Sequence, residues 1–243
     1  FHYADVLGPR ASQEEVFLAT ASPLVDRFLQ GYNAATIAYG QTSSGKTHTM
    51  MGPGFEIDAQ NNEVLEQAIS EAKEELYGVI PRIMKKIFDQ CDAIDDSEEI
   101  IELRVSFVEV YMETCYDLLV PGAKQTLQLR EQPNGEILLP NARCELVQDV
   151  QDVLRLLAVG NQNRAIACTL ANRESSRSHA IFLVQLTRKK VKSFARRTCQ
   201  LYLVDLAGSE KVAKTGVKGL QLKEAGAINR SLLALGNVIY ALS

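Results

Sequence analysis

The stretch Gly40-Gln41-Thr42-Ser43-Ser44-Gly45-Lys46-Thr47 constrains this chain more than any other feature. It fits the pattern G-x-x-x-x-G-K-[ST], and Ala35 to Tyr39 before it is a short, mostly apolar run of strand length. A strand, a glycine-rich turn and a helix in that order form the context in which this pattern holds phosphate. Glycines let the backbone curl, so that successive N–H groups point at anionic oxygens. A helix opening near Gly45 adds the positive end of its dipole. Lys46 can reach β- and γ-phosphates, and the Thr47 hydroxyl can ligate Mg2+. With average residue usage, a chain of 243 residues carries the pattern by accident about once in a hundred. Chance is therefore a poor account of it, yet the motif alone does not say which nucleotide chemistry follows.

The rest of the chain fits a large α/β domain. A hydrophobic content of 46% supports a sizeable core. Ser12-Gln13-Glu14-Glu15 reads as a capping box opening a helix that Gly31 ends. Leu103 to Tyr111 alternates like a strand, Gln132 to Gly135 reads as a turn between short strands, and Val150 to Cys168 carries a helical pattern. Ile181 to Leu186 and Leu201 to Val204 are apolar runs of strand length. Interleaved strands and helices predict a three-layer α/β/α P-loop domain around a mixed, mostly parallel central sheet. Residues 56–77 are acidic and helix-prone, and read as a solvated helix with one face on the domain or as a partner site.

Charge and cysteines narrow the setting. A net charge of −4 is no global signature of nucleic-acid or membrane binding, so an anionic partner must meet a local basic patch. Five widely spaced cysteines without a C-x-x-C argue against a disulfide framework or zinc site and favour a reducing, cytoplasmic compartment. No apolar run reaches membrane-spanning length.

Two further loops suit γ-phosphate chemistry. Asn172-Arg173-Glu174-Ser175-Ser176-Arg177-Ser178-His179 gathers hydroxyls, a guanidinium and an amide just before the strand at Ile181. Asp205-Leu206-Ala207-Gly208-Ser209-Glu210 follows the strand Leu201–Val204, which puts a carboxylate at a strand end facing a Mg2+ shell. Gly208 lets a backbone N–H approach the γ-phosphate.

These strings carry a family resemblance. Gly31-Tyr32-Asn33 with Tyr39 to Met50 is similar to the kinesin P-loop region. N-x-x-S-S-R-S-H at 172–179 resembles kinesin switch I, and Leu203-Val204-Asp205-Leu206-Ala207-Gly208-Ser209-Glu210 resembles switch II. Ile228-Asn229-Arg230-Ser231-Leu232 with Ala234 to Ile239 resembles the start of the switch II helix, expected from about Ala227. The resemblance spans nearly the whole chain. It implies a microtubule-based motor ATPase using ATP and Mg2+. Lys46 and the amides of 40–47 would hold phosphate, with Thr47 and Ser176 on Mg2+ and Asp205 in its outer shell. Ser175 and Gly208 would place the attacking water, with Asn172 near the γ-phosphate. Arg177 and Glu210 would form a latch between the switches, with Glu210 also on the proton path. His48 would stack on adenine.

The resemblance also assigns partners. Lys211, Lys214, Lys218 and Lys223 form a basic stretch without acids, suited to an acidic tubulin surface. A second cluster, Arg188, Lys189, Lys190, Lys192, Arg196 and Arg197, reads as an exposed hairpin between two strands. Tubulin is the expected partner, without nucleic acid or membrane insertion, in the cytoplasm on the microtubule cytoskeleton. The chain resembles part of a motor domain, with a strand expected before Phe1 and further elements after Ser243. Ala34 and Ala35, Met112 and Gly226-Ala227 depart from the family pattern. These departures keep open a second reading, a structural microtubule binder with little ATP turnover.

Overall fold

The computed structural model describes residues 4–53, 73–94, 97, 99–121, 126–133, 135, 137–170, 175–209 and 220–242. The chain opens with α1 (Gln13–Thr20) and α2 (Ser22–Leu29). The capping box is present: Glu15 N donates to Ser12 Oγ at 3.1 Å and Ser12 N to Glu15 Oε2 at 2.7 Å. The single helix expected up to Gly31 is two, broken at Ala21. Pro23 explains the break, because a ring without an N–H belongs in a first turn and starts a new helix.

Strand β1 (Ala34–Ala38) leads into the glycine-rich loop and α3 (Lys46–Met51). A short 3-10 turn at Glu74–Leu76 precedes α4 (Val79–Cys91). The helix-prone reading of 56–77 falls mostly outside the described residues. Where the chain returns at Gly78, its N–H donates to Met51 O at 3.1 Å. The backbones touch here. A Cβ on Gly52, at φ +90°, would lie 2.3 Å from Leu76 O, and one on Gly78 would lie 2.5 Å from Gly52 N. Neither position has room for a side chain.

Strands β2 (Glu99–Tyr111), β3 (Thr114–Asp117) and β4 (Thr126–Leu127) follow, then β5 (Arg130–Glu131), β6 (Ile137–Leu138) and β7 (Glu145–Leu146). The expected turn does join two short strands, since β5 and β6 pair antiparallel. Helix α5 (Val150–Leu170), a 3-10 turn at Ser175–Arg177, β8 (His179–Lys190), β9 (Arg196–Asp205) and α6 (Leu220–Leu242) complete the described order. Helix α6 starts earlier than the expected Ala227.

The main sheet runs β1-β9-β8-β2-β3-β4, with β7 beside β2. It is mixed, as expected, but not mostly parallel. Among the described pairings only β1–β9 is parallel. The chain between β8 and β9 is too short for a crossover helix, so these strands form a hairpin. The long β2–β8 pairing, from Glu99↔Lys190 to Val110↔His179, is antiparallel as well.

Alternation assigns the faces. Leu103, Val105 and Phe107 of β2 share the main core with Ala180, Phe182, Val184 and Leu186 of β8. Phe17, Val25, Phe28, Met50, Ile83, Leu154 and Leu157 from α1–α5 cover that face. Phe107 and Phe182 meet edge to face at 5.5 Å. Phosphate-loop helix α3 is therefore seated on the core by Met50 and Met51, each about 1% exposed. The basic 188–197 stretch is the β8–β9 hairpin, and part of its charge is met within the sheet. Arg188 pairs with Glu99, and Lys189 reaches Glu102 Oε1 at 2.6 Å.

Candidate functional site

The site lies where β1 and β9 end and β8 begins. Parallel pairing of β1 with β9 sets Ala38 opposite Asp205, so the loops leaving both strands start side by side. Gly45 adopts φ +91° and Ser43 φ +61°, the left-handed turn that swings the chain into α3. Across the gap, Ser209 N donates to Gly40 O at 3.1 Å and Leu206 N to Ala38 O at 3.3 Å. Gln41, Ser43, Ser44, Gly45 and Thr47 are exposed, while Gly40 and Thr42 are half-buried, so the loop presents an open cradle.

Lys46 Nζ donates to Gly40 O at 3.0 Å and Gln41 O at 2.8 Å. The ammonium thus lies on the carbonyls of its own loop, ready to move outward to phosphate. Thr47 Oγ1 donates to Asp205 Oδ2 at 2.6 Å. Asp205 is 3% exposed, and its Oδ1 is buried without a hydrogen-bond partner. A buried carboxylate oxygen without a donor calls for an absent partner. The Thr47 hydroxyl and the orphaned Oδ1 are oxygen donors of the kind that fits a hard divalent cation. Arg164 Nη1 stands 3.6 Å from Asp205 Oδ2. That positive charge disfavours direct metal ligation by this oxygen.

The expected two loops do meet. Gly208 N donates to Ser176 O at 2.8 Å, which joins the 172–179 segment to the 205–210 segment by one backbone bond. Ser175, Ser176 and Arg177 lie on the 3-10 turn. Arg177 Nη1 pairs with Glu224 Oε2 at 2.8 Å, and Tyr111 Oη donates to Glu224 Oε1. Glu224, 2% exposed, thus brings α6 to the switch region. Asn172, Glu210, Lys211, Lys214 and Lys218 lie outside the described residues, and with them the Arg177–Glu210 latch. Lys223 is exposed on α6. His48 is exposed, and Gln13 Nε2 donates to His48 O at 2.8 Å while standing 3.0 Å from its Nδ1.

Several residues beneath the loops escaped sequence reasoning. Arg164 of α5 faces Glu109 Oε1 at 3.4 Å and donates to Ser178 O at 2.9 Å, and Ser178 Oγ donates to Glu109 Oε1 at 2.6 Å. The usable signal was Glu109 itself, a carboxylate in the inward register of Leu103, Val105 and Phe107, where a buried charge demands a partner. His179 accepts from Ala207 N on Nδ1 at 3.0 Å, with Nε2 2.7 Å from Ser231 Oγ. Burial above all, then the nearby Arg164 charge, pushes the imidazole down to about 4, with Asp205 opposing. At neutral pH it is uncharged.

Fold and site define a P-loop α/β nucleotide-binding protein with two loops meeting beside the phosphate cradle. Comparison with known proteins makes the class specific. A family model described as the kinesin motor domain matches residues 1–243. The chain belongs to the kinesin motor family. It is 41% identical to kinesin heavy chain isoform 5C of Rattus norvegicus over 98% of its length, and spans only 23% of that relative. Among solved structures, one titled as a fast kinesin superposes at TM-score 0.84 with 39% identity, covering 100% of this chain and 63% of the other. A KIF14 dimer with AMP-PNP in complex with a microtubule gives TM-score 0.75 and 39% identity, covering 96% and 61%.

Proposed function

We propose that this chain is the nucleotide-handling part of a microtubule-based motor ATPase. The observation that carries the reading is the three-way meeting of loops. Thr47 on Asp205, Gly208 on Ser176 and Ser209 on Gly40 tie cradle, switch I and switch II into one bonded unit. Phosphoryl transfer needs positioning and charge neutralisation more than covalent help, and such a unit supplies both. Lys46 and the loop amides take the phosphates, and the Ser175 backbone and the Gly208 N–H, once it leaves Ser176 O, orient a water toward the γ-phosphorus. Attack forms the new P–O bond as the bond to the β–γ bridging oxygen breaks, giving ADP and inorganic phosphate, with Glu210 on the path of the water's proton. Thr47 and Ser176 would hold Mg2+, whose charge offsets that of the phosphate oxygens. His48, exposed on the cradle helix, would stack on adenine.

The partner reading rests on relatives and charge together. The KIF14 structure was solved on a microtubule. Lys211, Lys214, Lys218 and Lys223 offer a basic stretch to acidic tubulin, which supports cytoplasmic microtubules as the setting. Among the described residues no helix is long and apolar enough to cross a membrane. The test is steady-state ATP turnover of the full-length protein with and without microtubules. Stimulated turnover supports the motor reading. Binding to microtubules without turnover overturns it.

A further inference from the structure

A motor must pass the state of its phosphate site to a distant surface, and the described contacts offer one short route. His179 opens β8 directly after the 3-10 turn. It is 6% exposed. Its two ring nitrogens face two different elements. The Ala207 N–H lies 3.0 Å from Nδ1, which must therefore be the acceptor. Nε2 then carries the proton and donates to Ser231 Oγ at 2.7 Å, and Ser231 Oγ donates onward to Ile228 O at 2.8 Å. Every donor in this chain has an acceptor, and the tautomer is fixed by its partners.

Position gives the bonds their meaning. Ala207 precedes Gly208, whose N–H already reaches Ser176 O. Ser231 lies seven residues after Glu224, two turns along the same helix face. Glu224 holds Arg177 at 2.8 Å. Switch I thus grips α6 at two points, and one of these, the imidazole, also grips switch II. A movement of Ala207 and Gly208 toward a γ-phosphate would draw on Nδ1 and, through the rigid ring, on the bond from Nε2 to Ser231.

We infer that His179 is a positioning residue that couples the Ala207–Gly208 backbone to helix α6 through Ser231, so that closure around the γ-phosphate shifts α6. The inference rests on the nucleotide site proposed above, but not on microtubules. Because the ring is uncharged, the coupling works by direction and length of two hydrogen bonds rather than by charge. Ser231→Ala removes the far bond without touching the phosphate site. Ser231→Thr keeps a hydroxyl.

The experiment is hydrogen exchange with mass spectrometry on the full-length protein, comparing Mg-ADP with Mg-AMP-PNP. In the unaltered protein, exchange in 220–242 changes between the two nucleotides. Losing one neutral hydrogen bond weakens such coupling by about 2- to 10-fold, so Ser231→Ala should shrink that change by this factor. The response of residues 40–47 should stay, and Ser231→Thr should retain the change in α6. An unaltered α6 response in Ser231→Ala, or no α6 response in the unaltered protein, overturns the inference. An α6 response without microtubule-stimulated turnover supports the coupling and sinks only the motor reading. If residues 40–47 show no response to nucleotide, the nucleotide site itself is wrong, and the coupling falls with it.

Discussion

Replacing Arg164 by methionine tests the charge arrangement under the site. Arg164 is 5% exposed, and Glu109 and Asp205 are each 3% exposed. The guanidinium sits 3.4 Å from Glu109 Oε1 and 3.6 Å from Asp205 Oδ2, so one cation serves two buried carboxylates. Methionine fills much of the same volume, which keeps any cavity small. The cost is then electrostatic. Each carboxylate retains one hydroxyl, Ser178 on Glu109 and Thr47 on Asp205, but loses its counter-charge. Removing one member of a buried ion pair destabilises by about 3–5 kcal/mol. Urea denaturation of Arg164→Met should show that loss with an unchanged slope. Arg164→Met combined with Glu109→Gln should recover at least about half of it, because Gln still accepts from Ser178 and only one buried charge remains. A loss under about 1 kcal/mol in the single variant, or a double variant at the sum of both single losses, would refute the assignment of Arg164 as the shared counter-ion.

Three other outcomes are expected. Lys46→Ala should weaken binding of a fluorescent ATP analogue at least about 10-fold, the scale of a charge-assisted contact of about 1.5–3 kcal/mol, and unchanged affinity would remove Lys46 from the cradle. EDTA should stop ATP turnover and added Mg2+ restore it, and Thr47→Ala should raise the Mg2+ concentration needed, read from turnover against free Mg2+. Stability should fall between pH 6.5 and pH 5. The folded imidazole of His179 titrates near 4 and the unfolded one near 6.5, so unfolding takes up a proton in that window. The slope contributed is at most about 1.4 kcal/mol per pH unit, and thermal unfolding of His179→Asn should lack it.

What the sequence made legible follows contact range. The phosphate loop is local: eight consecutive residues set its turn, and the strand before it forms where expected. The capping box at Ser12 is local too, and it is present. Sheet direction is not local. Val184 and Leu201 read as apolar strands either way, and only the short chain between β8 and β9 decides that they run antiparallel. The ionic layer was hidden for the same reason. Arg164 and Glu109 are far apart in sequence, and each alone reads as one more charge on a helix or a strand. Glu224 and Ser231 looked like ordinary members of an exposed helix because their partners, Arg177 and His179, come from another element. Helix α6 was expected from about Ala227, where the resemblance to the switch II helix begins, whereas the helix starts at Leu220 and runs through Gly226-Ala227.

The contact of Gly52 with Gly78 has a consequence for how this domain tolerates change. Two backbones pressed together by glycine, with Gly78 N–H on Met51 O, form a closed neck at the base of residues 53–77. For a flexible segment, the entropy of closing such a ring grows with the logarithm of its length, so doubling the number of residues costs only about 0.6 kcal/mol. By this measure a change of length in the sequence between the two glycines costs little. A single methyl group at either glycine, by contrast, would pry the neck open and shift α3 itself. At this junction, then, two residues have no room to grow.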